Sequence, residues 1–531
     1  MSASIVISGL SWSTPEGRPL FSDLDLSFGS ERAGLVGRNG VGKTTLLKII
    51  AGELAAQSGN VSVSGRIAVL RQSVQVAAHE TVADLFAARD ALTLLKRAES
   101  GAADLGDLAV ADWTLHARMA EAMARVGLNA LPEAPLASLS GGQRTRARLA
   151  ALVFGEPDFL LLDEPTNDLD LEGRRAVVDL LAAWRSGAIV VSHDRELLET
   201  MDAIVEVTTL GASRYGGNWS AYRARKTMEL AAAKRDLADA DQRVADVEES
   251  AQAAVERQVR RDKVGRRKAA RGDMPKILIG ARKRQAENSS AALGKLADRQ
   301  RANAAQAAAE ARERIEVLQP LSVSIASTGL AAGKVVLRVE AVTAGYEQGV
   351  PVIRDFSMLV TGPERVAITG PNGSGKTTLL ALISGALPPW SGSVRAITDM
   401  AVLDQRVSII DPAHSIRDNF LRLNPGADEN ACRAALARFM FRAEAALQIA
   451  GTLSGGQMLR AGLACVLGVA PPTLLILDEP TNHLDIDSIE AVEAGLRAYG
   501  GALLVVSHDE AFLENIGVTR RVALTKGGPS F

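Results

Sequence analysis

Two stretches of the chain combine glycines, a lysine and a threonine in the same spacing. The first is Gly37–Thr44, with the letters GRNGVGKT, and the second is Gly370–Thr377, with the letters GPNGSGKT. Glycines let backbone N–H groups wrap around phosphate at the start of a helix, the lysine reaches the terminal phosphates, and the threonine hydroxyl can ligate Mg²⁺. The short apolar segments before and after Gly37–Thr44 favour a phosphate-binding loop (P-loop) over a chance glycine-rich turn.

Two acidic residues end an apolar run that follows each P-loop. Asp163 and Glu164 come directly after Phe159–Leu162, as expected for a strand buried on both faces of a parallel sheet, and the pair recurs as Asp478 and Glu479. The first acid of each pair is placed to hold the Mg²⁺ shell, and the second to orient and deprotonate an attacking water. An isolated pair of this kind would be a solvated strand end, but the preceding P-loop favours the catalytic interpretation.

The same motifs occur twice in the same order, which indicates an internal duplication. Lys43 and Lys376 are 333 positions apart, whereas Ser140 and Ser454 are 314 apart. The first copy therefore carries about 19 extra residues before Ser140. The repeat also relates Gln72 to Gln405, the letters LSGGQ of 139–143 to those of 453–457, and His193 to His508.

Composition indicates several globular domains in a reducing compartment. The chain has 531 residues, 47% of them hydrophobic, a formal net charge of −2 and only two cysteines, which show no metal or disulfide spacing. The N-terminus lacks a signal-peptide pattern, and the most apolar windows fall short of the ~20 residues needed to cross a bilayer. We therefore expect a cytoplasmic protein without a membrane span.

Between the two copies lies a segment rich in alanine and charge, 224–331. Its stretch 257–284 holds twelve arginines and lysines against two aspartates, a balance that indicates a polyanionic partner. Apolar residues at heptad spacing predict a helix with a narrow seam, and they are Leu230, Ala233, Leu237, Ala240, Val244, Val247, Ala251 and Ala254. We expect Gly272–Pro275 to break this helix and the alanine-rich stretch 291–318 to return beside it as a mobile hairpin.

Each copy carries a P-loop, a glutamine and the motifs LSGGQ, DEPTN and SHD, in this order. With this order of motifs, nearly all of both copies resembles the ATP-binding cassette (ABC) ATPases. Two cassettes in one chain, the letters DEPTNHLD ending at Asp485 and a charged helical linker are similar to the ABC-F subfamily. This resemblance implies cytoplasmic ATPases that bind the ribosome. Members include translation factors of the energy-sensing translational throttle type and antibiotic-resistance proteins that protect the ribosome.

The resemblance also implies that the cassettes face head to tail and close two ATP molecules, with Mg²⁺, between them. The first site is then expected to use Gly37, Arg38, Asn39, Gly40, Val41, Gly42, Lys43, Thr44, Thr45, Gln72 and Trp12, with Ser454, Gly455, Gly456 and Gln457 from the second cassette. The second is expected to use Gly370, Pro371, Asn372, Gly373, Ser374, Gly375, Lys376, Thr377, Thr378, Gln405 and Tyr346, with Ser140, Gly141, Gly142 and Gln143 from the first.

Within these sites the resemblance assigns separate roles. The implied Mg²⁺ ligands are Thr44, Gln72, Asp163, Thr377, Gln405 and Asp478, and the implied catalytic residues are Glu164, Glu479, His193 and His508. For Trp12 and Tyr346, simple core packing is the alternative to stacking on adenine. Both sites keep their acids and lysine, so both are expected to hydrolyse ATP. Asp168 replaces the histidine that the family usually has, present here as His483, which leaves the coupling between the sites open.

We therefore predict an α/β fold, with two P-loop ABC ATPase domains in tandem joined by a long α-helical hairpin linker. The predicted boundaries are 1–223 for the first ATPase domain, 224–331 for the basic linker and 332–531 for the second ATPase domain. The first domain includes an insert at about 87–125, which is either a short ribosome-contacting arm or a longer helical subdomain.

The predicted partner is the ribosome, with rRNA and tRNA contacted by residues 257–284 of a monomer whose two cassettes pair within the chain. The soluble ATPase subunit of a transporter and a DNA-associated dual-cassette ATPase remain as alternatives. The choice between a housekeeping translation factor and a resistance factor stays open.

Overall fold

The computed structural model describes residues 3–71, 77, 79–167, 169–209, 211–269, 299, 302–303, 305–307, 309, 325–347, 349–482, 484–525 and 528–530. The chain divides into two units, Met1–Ser220 with Pro320–Phe531, and Ala221–Gln319. Gln72, Asp168 and His483 lie outside the described residues, as do the expected hairpin tip and most of the expected returning helix.

The first cassette contains two sheets. β1 (Ser4–Ser13), β2 (Pro19–Phe28) and β4 (Ser58–Ser64) form an antiparallel sheet in the order β2-β1-β4. The larger sheet has the order β5-β6-β7-β3-β8-β9, and its strands are β3 (Arg32–Val36), β5 (Ile67–Leu70), β6 (Phe159–Asp163), β7 (Gly187–Val191), β8 (Ala203–Thr208) and β9 (Gly211–Gly216). Neighbouring strands of this sheet are parallel except for β8 and β9.

Helices cover these sheets and fill the connections. The α-helices of the first cassette are Lys43–Ile50, Val82–Leu85, Arg89–Glu99, Leu105–Val110, Leu115–Arg125, Gly141–Phe154, Leu171–Ala183 and Arg195–Glu199, and a 3₁₀ turn spans Leu136–Ser138. Three of these helices fall within the predicted insert at 87–125. The assignment of that insert as an arm or a helical subdomain remains a prediction.

The second cassette repeats both sheets. β10 (Val335–Ala344), β11 (Ile353–Thr361) and β13 (Ser391–Ala396) form the antiparallel sheet in the order β11-β10-β13. The larger sheet has the order β14-β15-β16-β12-β17-β18, and its strands are β12 (Arg365–Thr369), β14 (Met400–Leu403), β15 (Leu474–Asp478), β16 (Ala502–Val506), β17 (Arg520–Thr525) and β18 (Gly528–Ser530). The α-helices are Lys376–Ile383, Ile416–Leu423, Glu429–Arg438, Gly455–Leu467, Ile486–Ala498 and Glu510–Asn515, with 3₁₀ turns at Ala443–Leu447 and Ala450–Thr452.

The continuous apolar runs form the centre of each large sheet. Every residue of β6 and β7 is buried, and so is every residue of β16. A strand covered on both faces has no exposed side for polar residues, which explains the absence of apolar–polar alternation in these runs. Because the strands are parallel, β3, β6 and β7 deliver their C-terminal residues to one edge of the sheet, where ligands bind in open α/β sheets. The predicted α/β fold with two tandem P-loop ATPase domains is confirmed.

The unit Ala221–Gln319 contains most of a single long helix. The helix Trp219–Ala269 has 51 residues, about 75 Å at 1.5 Å per residue. Ala233, Ala240 and Ala251 of the predicted seam are buried, whereas Arg257, Arg260 and Lys263 are exposed. The helix therefore continues into the basic stretch, past the end of the heptad pattern, because arginine and lysine are good helix formers.

No helix in the described part of the chain is long and apolar enough to cross a membrane. Cys432 and Cys465 are both buried and are free thiols.

Candidate functional site

The first P-loop joins the end of β3 to the helix that begins at Lys43. Gly37 has a φ of +146° and Gly42 a φ of +104°, in the left-handed region that glycine adopts without strain. A Cβ atom on Gly37 would lie 2.2 Å from the carbonyl oxygen of Val207, so no other residue fits. The buried Lys43 ammonium donates to the carbonyl oxygens of Gly37 (2.5 Å) and Arg38 (3.1 Å), which folds its charge back onto the loop.

The second P-loop has the same construction. Gly370 has a φ of +144°, and a Cβ atom there would lie 2.3 Å from the carbonyl oxygen of Leu524. The Lys376 ammonium donates to the carbonyl oxygen of Gly370 at 2.8 Å. The Ser374 hydroxyl is buried and has no hydrogen-bond partner in the part of the chain that the structure describes. In both loops, the backbone and the lysine side chain are therefore arranged in a way that suits binding of a phosphate chain.

A cleft of about 200 Å³ opens beside the first P-loop. Its lining includes Asn39, Lys43 and Thr44 from the loop, and Asp163 and Glu164 from the end of β6. Burial lowers the pKa of Lys43, while the nearby carboxylates of Glu164, Asp485 and Asp163 act in the opposite direction. The cleft thus brings the predicted phosphate-binding and catalytic side chains together.

The two glutamates that follow the central strands have an unusual backbone conformation. Glu164 has a φ of +50° and Glu479 a φ of +45°, values that strain a residue with a side chain. Hydrogen bonds from their amides to Val191 O (2.9 Å) and Val506 O (2.8 Å) hold this geometry. Burial raises the pKa of Glu164 to about 8 and that of Glu479 to about 7. A carboxyl whose pKa lies near neutrality is suited to accept and release a proton.

A histidine lies beside each glutamate. His193 Nε2 is 3.3 Å from Glu164 Oε1, and His508 Nε2 is 3.4 Å from Glu479 Oε1. Burial lowers the pKa of His193 to about 3 and that of His508 to about 4, so both rings are neutral at physiological pH. His508 Nε2 also lies 3.0 Å from the Lys376 ammonium, and a neutral ring can accept that hydrogen bond.

The predicted Mg²⁺ ligands are partly assembled. The Asp163 carboxyl is hydrogen-bonded to the Thr44 side chain, and burial raises its pKa against the opposing effects of Thr44 and Lys43. Burial likewise raises the pKa of Asp478, with Lys376 acting against it. Gln405 is exposed just beyond β14. Within the described residues, no group of three or more His, Cys, Asp or Glu side chains is arranged to hold a metal ion.

The LSGGQ segments lie at the start of two helices. Ser140 is the N-cap of Gly141–Phe154 and Ser454 is the N-cap of Gly455–Leu467. In each segment, the serine hydroxyl accepts a hydrogen bond from the backbone N–H of the glutamine, at 3.2 Å in the first and 3.3 Å in the second. The side-chain oxygen of the glutamine accepts one from the backbone N–H of the serine, at 2.9 Å in both. Gln143 and Gln457 therefore have a structural function, because they complete capping boxes. The predicted nucleotide contacts of these segments remain predictions.

Carboxylates cross from each cassette to the P-loop of the other. Asp485 Oδ2 accepts from the Asn39 amide at 2.8 Å, and Asp170 Oδ2 accepts from the Asn372 amide at 3.3 Å. Both aspartates are also helix N-caps. Burial acts to raise the pKa of Asp485, but hydrogen bonds from Ser488 and the Asn39 amide outweigh it and lower the pKa. These contacts join each P-loop to the opposite cassette.

Sequence reasoning assigned no role to Asp170 or Asp485. Their only signal in the sequence is an aspartate six positions after each catalytic glutamate, in both copies.

The two predicted adenine-stacking aromatics are not equivalent in the structure. Trp12 pairs with Phe21 across β1 and β2 and packs against the core of the first cassette. In the same register of the second cassette, Ala344 pairs with Ile353. Tyr346 lies beyond the end of β10, and 67% of it is exposed. Tyr346 is therefore the more exposed of the two side chains, and the stacking roles of both remain predictions.

Comparisons with known proteins agree with this geometry. The family model described as ABC transporter matches residues 22–167 and 353–482. The tylosin resistance ATP-binding protein TlrC of Streptomyces fradiae is 32% identical over 93% of this chain and 92% of its own length. The energy-dependent translational throttle protein EttA of Mycobacterium tuberculosis is 30% identical over 93% of this chain and 87% of its own length.

Among solved structures, the RNase-L Inhibitor matches with a TM-score of 0.58, covering 96% of this chain and 87% of its own. At 17% identity that likeness shows the fold alone. The family match and the full-length relatives together show more than the fold: this chain belongs to the ABC-F subfamily of the ATP-binding cassette proteins, and it is an ATPase with two cassettes in tandem.

Proposed function

We propose that this protein uses ATP to close its two cassettes and thereby controls its attachment to the ribosome, and that hydrolysis releases it. One observation carries the ATP-dependent part, namely the pair of carboxylates that cross from each cassette to the opposite P-loop. A nucleotide in such a site contacts both cassettes only when they are closed. ATP therefore shifts the population towards the closed form, because it binds that form better.

The proposed roles within each site follow from the geometry. Lys43 and Lys376 would turn from their loop carbonyls to the terminal phosphates. The Thr44 hydroxyl and the Asp163 carboxylate would hold Mg²⁺, which neutralises charge on the phosphate oxygens. Thr377 and Asp478 would do the same in the second site, and Gln72 and Gln405 are proposed to complete the two sets. These assignments rest on the fit of the residues present.

Glu164 and Glu479 would orient the attacking water and take its proton. Their raised pKa values make the ionised carboxylates stronger bases, which take the proton of the water and release it afterwards. His193 and His508, neutral and 3.3–3.4 Å from the glutamates, would hold the water and the γ-phosphate in place through their ring N–H groups. Because both sites contain these parts, both are proposed to hydrolyse ATP.

Attachment to the ribosome is supported by relatives and by charge. One relative is named a translational throttle and another a tylosin resistance protein, and both match nearly the whole chain. Arg257, Arg260 and Lys263 are exposed on the long helix, within the stretch 257–284 that carries twelve cations and two acids. Such a surface suits the phosphates of rRNA and tRNA. We propose that the chain acts in the cytoplasm as a monomer, with 224–331 as linker.

Co-sedimentation with ribosomes tests this proposal. The variant Glu164→Gln/Glu479→Gln should bind ATP without hydrolysing it, so we expect it to pellet with ribosomes when ATP is present and to stay in the supernatant without ATP. Higher salt should weaken the pelleting, because phosphate contacts release counterions. If a variant shown to bind ATP does not pellet, ribosome control is not the function, and membrane and DNA partners become the candidates to test.

A matched pair of triple variants on one helix identifies the contact surface. Replacing Arg257, Arg260 and Lys263 by glutamine should reduce the ATP-dependent pelleting and flatten its salt dependence. The control replaces three exposed cations nearer the start of the same helix, Lys234, Arg235 and Arg243, and should pellet like the parent protein. Equal losses in both variants would assign binding to net charge and not to the basic stretch. Adding tylosin to a translation assay would then separate a resistance factor from a housekeeping factor.

A further inference from the structure

Within the described residues, two ion pairs join the cassettes, and both lie close in sequence to residues of the first ATP site. Arg195 Nη1 lies 2.7 Å from Glu493 Oε1, and the side chains are only 12% and 4% exposed. The Asn515 amide donates to the same oxygen at 3.0 Å. Arg38 of the first P-loop lies 2.9 Å from Asp487, a pair that is largely exposed.

These residues are connected to the first site along the chain. Arg195 follows His193 by two residues, and Glu493 lies on the helix Ile486–Ala498. That helix begins after Asp485, whose carboxylate accepts from the Asn39 amide in the first P-loop. A continuous path therefore runs from His193 through the buried ion pair and the helix back to the P-loop of the same site.

The duplicated sequence excludes the same pairs at the second site. The 315-residue spacing that relates His193 to His508 relates Arg195 to Glu510 and Glu493 to Val178. The P-loop alignment relates Arg38 to Pro371, and Asp487 corresponds to Glu172. A glutamate with a valine, or a proline with a glutamate, cannot form an ion pair.

At the second site, Glu510 pairs instead with Arg521 of its own cassette, at 2.6 Å. The crossing carboxylate is also farther from its P-loop amide there, at 3.3 Å against 2.8 Å.

Of the two ion pairs at the first site, the buried one matters more. The exposed Arg38–Asp487 pair gains little, because water and salt screen both charges. Arg195 and Glu493 are withdrawn from water, so separating the cassettes at this point must rehydrate two charges, and removing one partner leaves the other buried without compensation.

We propose that Arg195 and Glu493 are positioning residues of the first ATP site: they hold the His193 segment against the opposite cassette, so that this site stays assembled without nucleotide. The second site is then the one that opens first and exchanges nucleotide. The two sites are therefore unequal although their phosphate-binding and catalytic residues match. This inference rests on the ATP-driven closure proposed above and assigns the order in which the two sites close.

Amide hydrogen exchange of the full-length, nucleotide-free protein tests the inequality. Peptides covering 37–45 and 370–378 report on the two P-loops. We expect the first to exchange at least about 5-fold more slowly than the second. The variant Arg195→Met/Glu493→Gln removes both charges of this pair. It should bring exchange of 37–45 to the rate of 370–378 and leave the second loop unchanged.

Two further variants separate positioning from general stability. The exchanged pair Arg195→Glu/Glu493→Arg should restore slow exchange at 37–45, because the cross-cassette attraction returns. Arg521→Met removes the ion pair of the equivalent Glu510 within the second cassette and should change neither P-loop. Equal exchange of both loops in the parent protein, or loss of protection at both loops in the Arg195→Met/Glu493→Gln variant, would overturn the proposal.

Hydrolysis provides a second readout. The Arg195→Met/Glu493→Gln change should lower kcat about 5-fold in a Glu479→Gln background, where the first site acts, and less than 2-fold in a Glu164→Gln background. KM should change little in either. Equal kcat losses in both backgrounds would refute the assignment. Unequal P-loop exchange in a protein that never pellets with ribosomes would refute only the ribosomal part of the proposed function.

Discussion

Glu164 and Glu479 should destabilise the nucleotide-free protein, and replacing either by glutamine should stabilise it. Both carboxyls lie where burial raises the pKa, to about 8 and about 7, from the ordinary 4.5. The unfolded chain loses these protons near pH 4.5, whereas the folded chain keeps them to higher pH. The free energy of unfolding therefore falls as pH rises from 4.5, and levels off above the folded-state pKa.

The size of this effect on the free energy of unfolding follows from how far the pKa of each glutamate is raised. At about 1.4 kcal/mol per pH unit, the full effect is on the order of 4–5 kcal/mol for Glu164 above pH 8 and about 3 kcal/mol for Glu479 above pH 7. Local relaxation around a buried charge reduces these values, so we expect a gain of about 2–3 kcal/mol from either glutamine variant at pH 8.5. Glutamine preserves size and backbone conformation, which leaves ionisation as the main change. A gain of this size raises the Tm of a cassette-sized domain by roughly 5–10 °C.

Thermal unfolding in EDTA without nucleotide, at pH 5.5 and pH 8.5, measures the effect. The difference in Tm between variant and parent should be small at pH 5.5 and large at pH 8.5, and Glu164→Gln should gain more than Glu479→Gln between pH 7 and pH 8.5. The control is Glu340→Gln, which changes an exposed glutamate paired with Arg338 and should show no stabilisation. Glutamine variants that are destabilised, or whose gain is independent of pH, would refute the account of these carboxyls.

Three further predictions concern aromatic and glycine residues. Tyr346→Ala should weaken binding of a fluorescent ATP analogue several-fold without loss of stability, whereas Trp12→Ala should lower the free energy of unfolding by about 2 kcal/mol, because only Trp12 packs against a core. Tyr499→Phe removes the 2.7 Å hydrogen bond to the buried Pro472 carbonyl and should cost about 1–2 kcal/mol in urea unfolding; an unchanged midpoint would mean that water replaces the hydroxyl. Gly37→Ala should reduce the ATP stoichiometry in calorimetry from two to one, and retention of two sites would contradict the tight fit against its neighbours.

Local features of the sequence were sufficient to predict the cassettes. The strand Phe159–Asp163 is a continuous apolar run because both of its faces are covered, and the P-loop glycines occur where positive φ angles are required. Such signals depend on a few neighbouring residues, which periodicity and spacing reveal directly.

Contacts between distant parts of the chain left weaker signals. The bond from Asn39 to Asp485 and the pair of Arg195 with Glu493 exist because two folded cassettes meet, and no local pattern predicts that meeting. The irregular pairing of β1, which places Trp12 opposite Phe21, also left no local signal, and the stacking role of Trp12 stays a prediction. The heptad pattern ends at Ala254 although the helix continues to Ala269, because such a pattern marks the length of a seam and not the length of a helix, and the predicted break at Gly272–Pro275 lies outside the described residues.

The length of the helix Trp219–Ala269 makes it a lever. The Ser220 hydroxyl in its first turn donates to Glu199, the last residue of the short helix that begins with Arg195 and follows His193. A rotation of only 5° at that end displaces the far end of a ~75 Å rigid rod by roughly 7 Å, about the spacing between successive phosphates of a nucleic acid strand. A movement of this end of the helix would therefore be amplified at the other end in proportion to the length of the helix. Shortening the helix by whole turns would reduce this displacement in proportion and would leave the residues of the ATP sites unchanged.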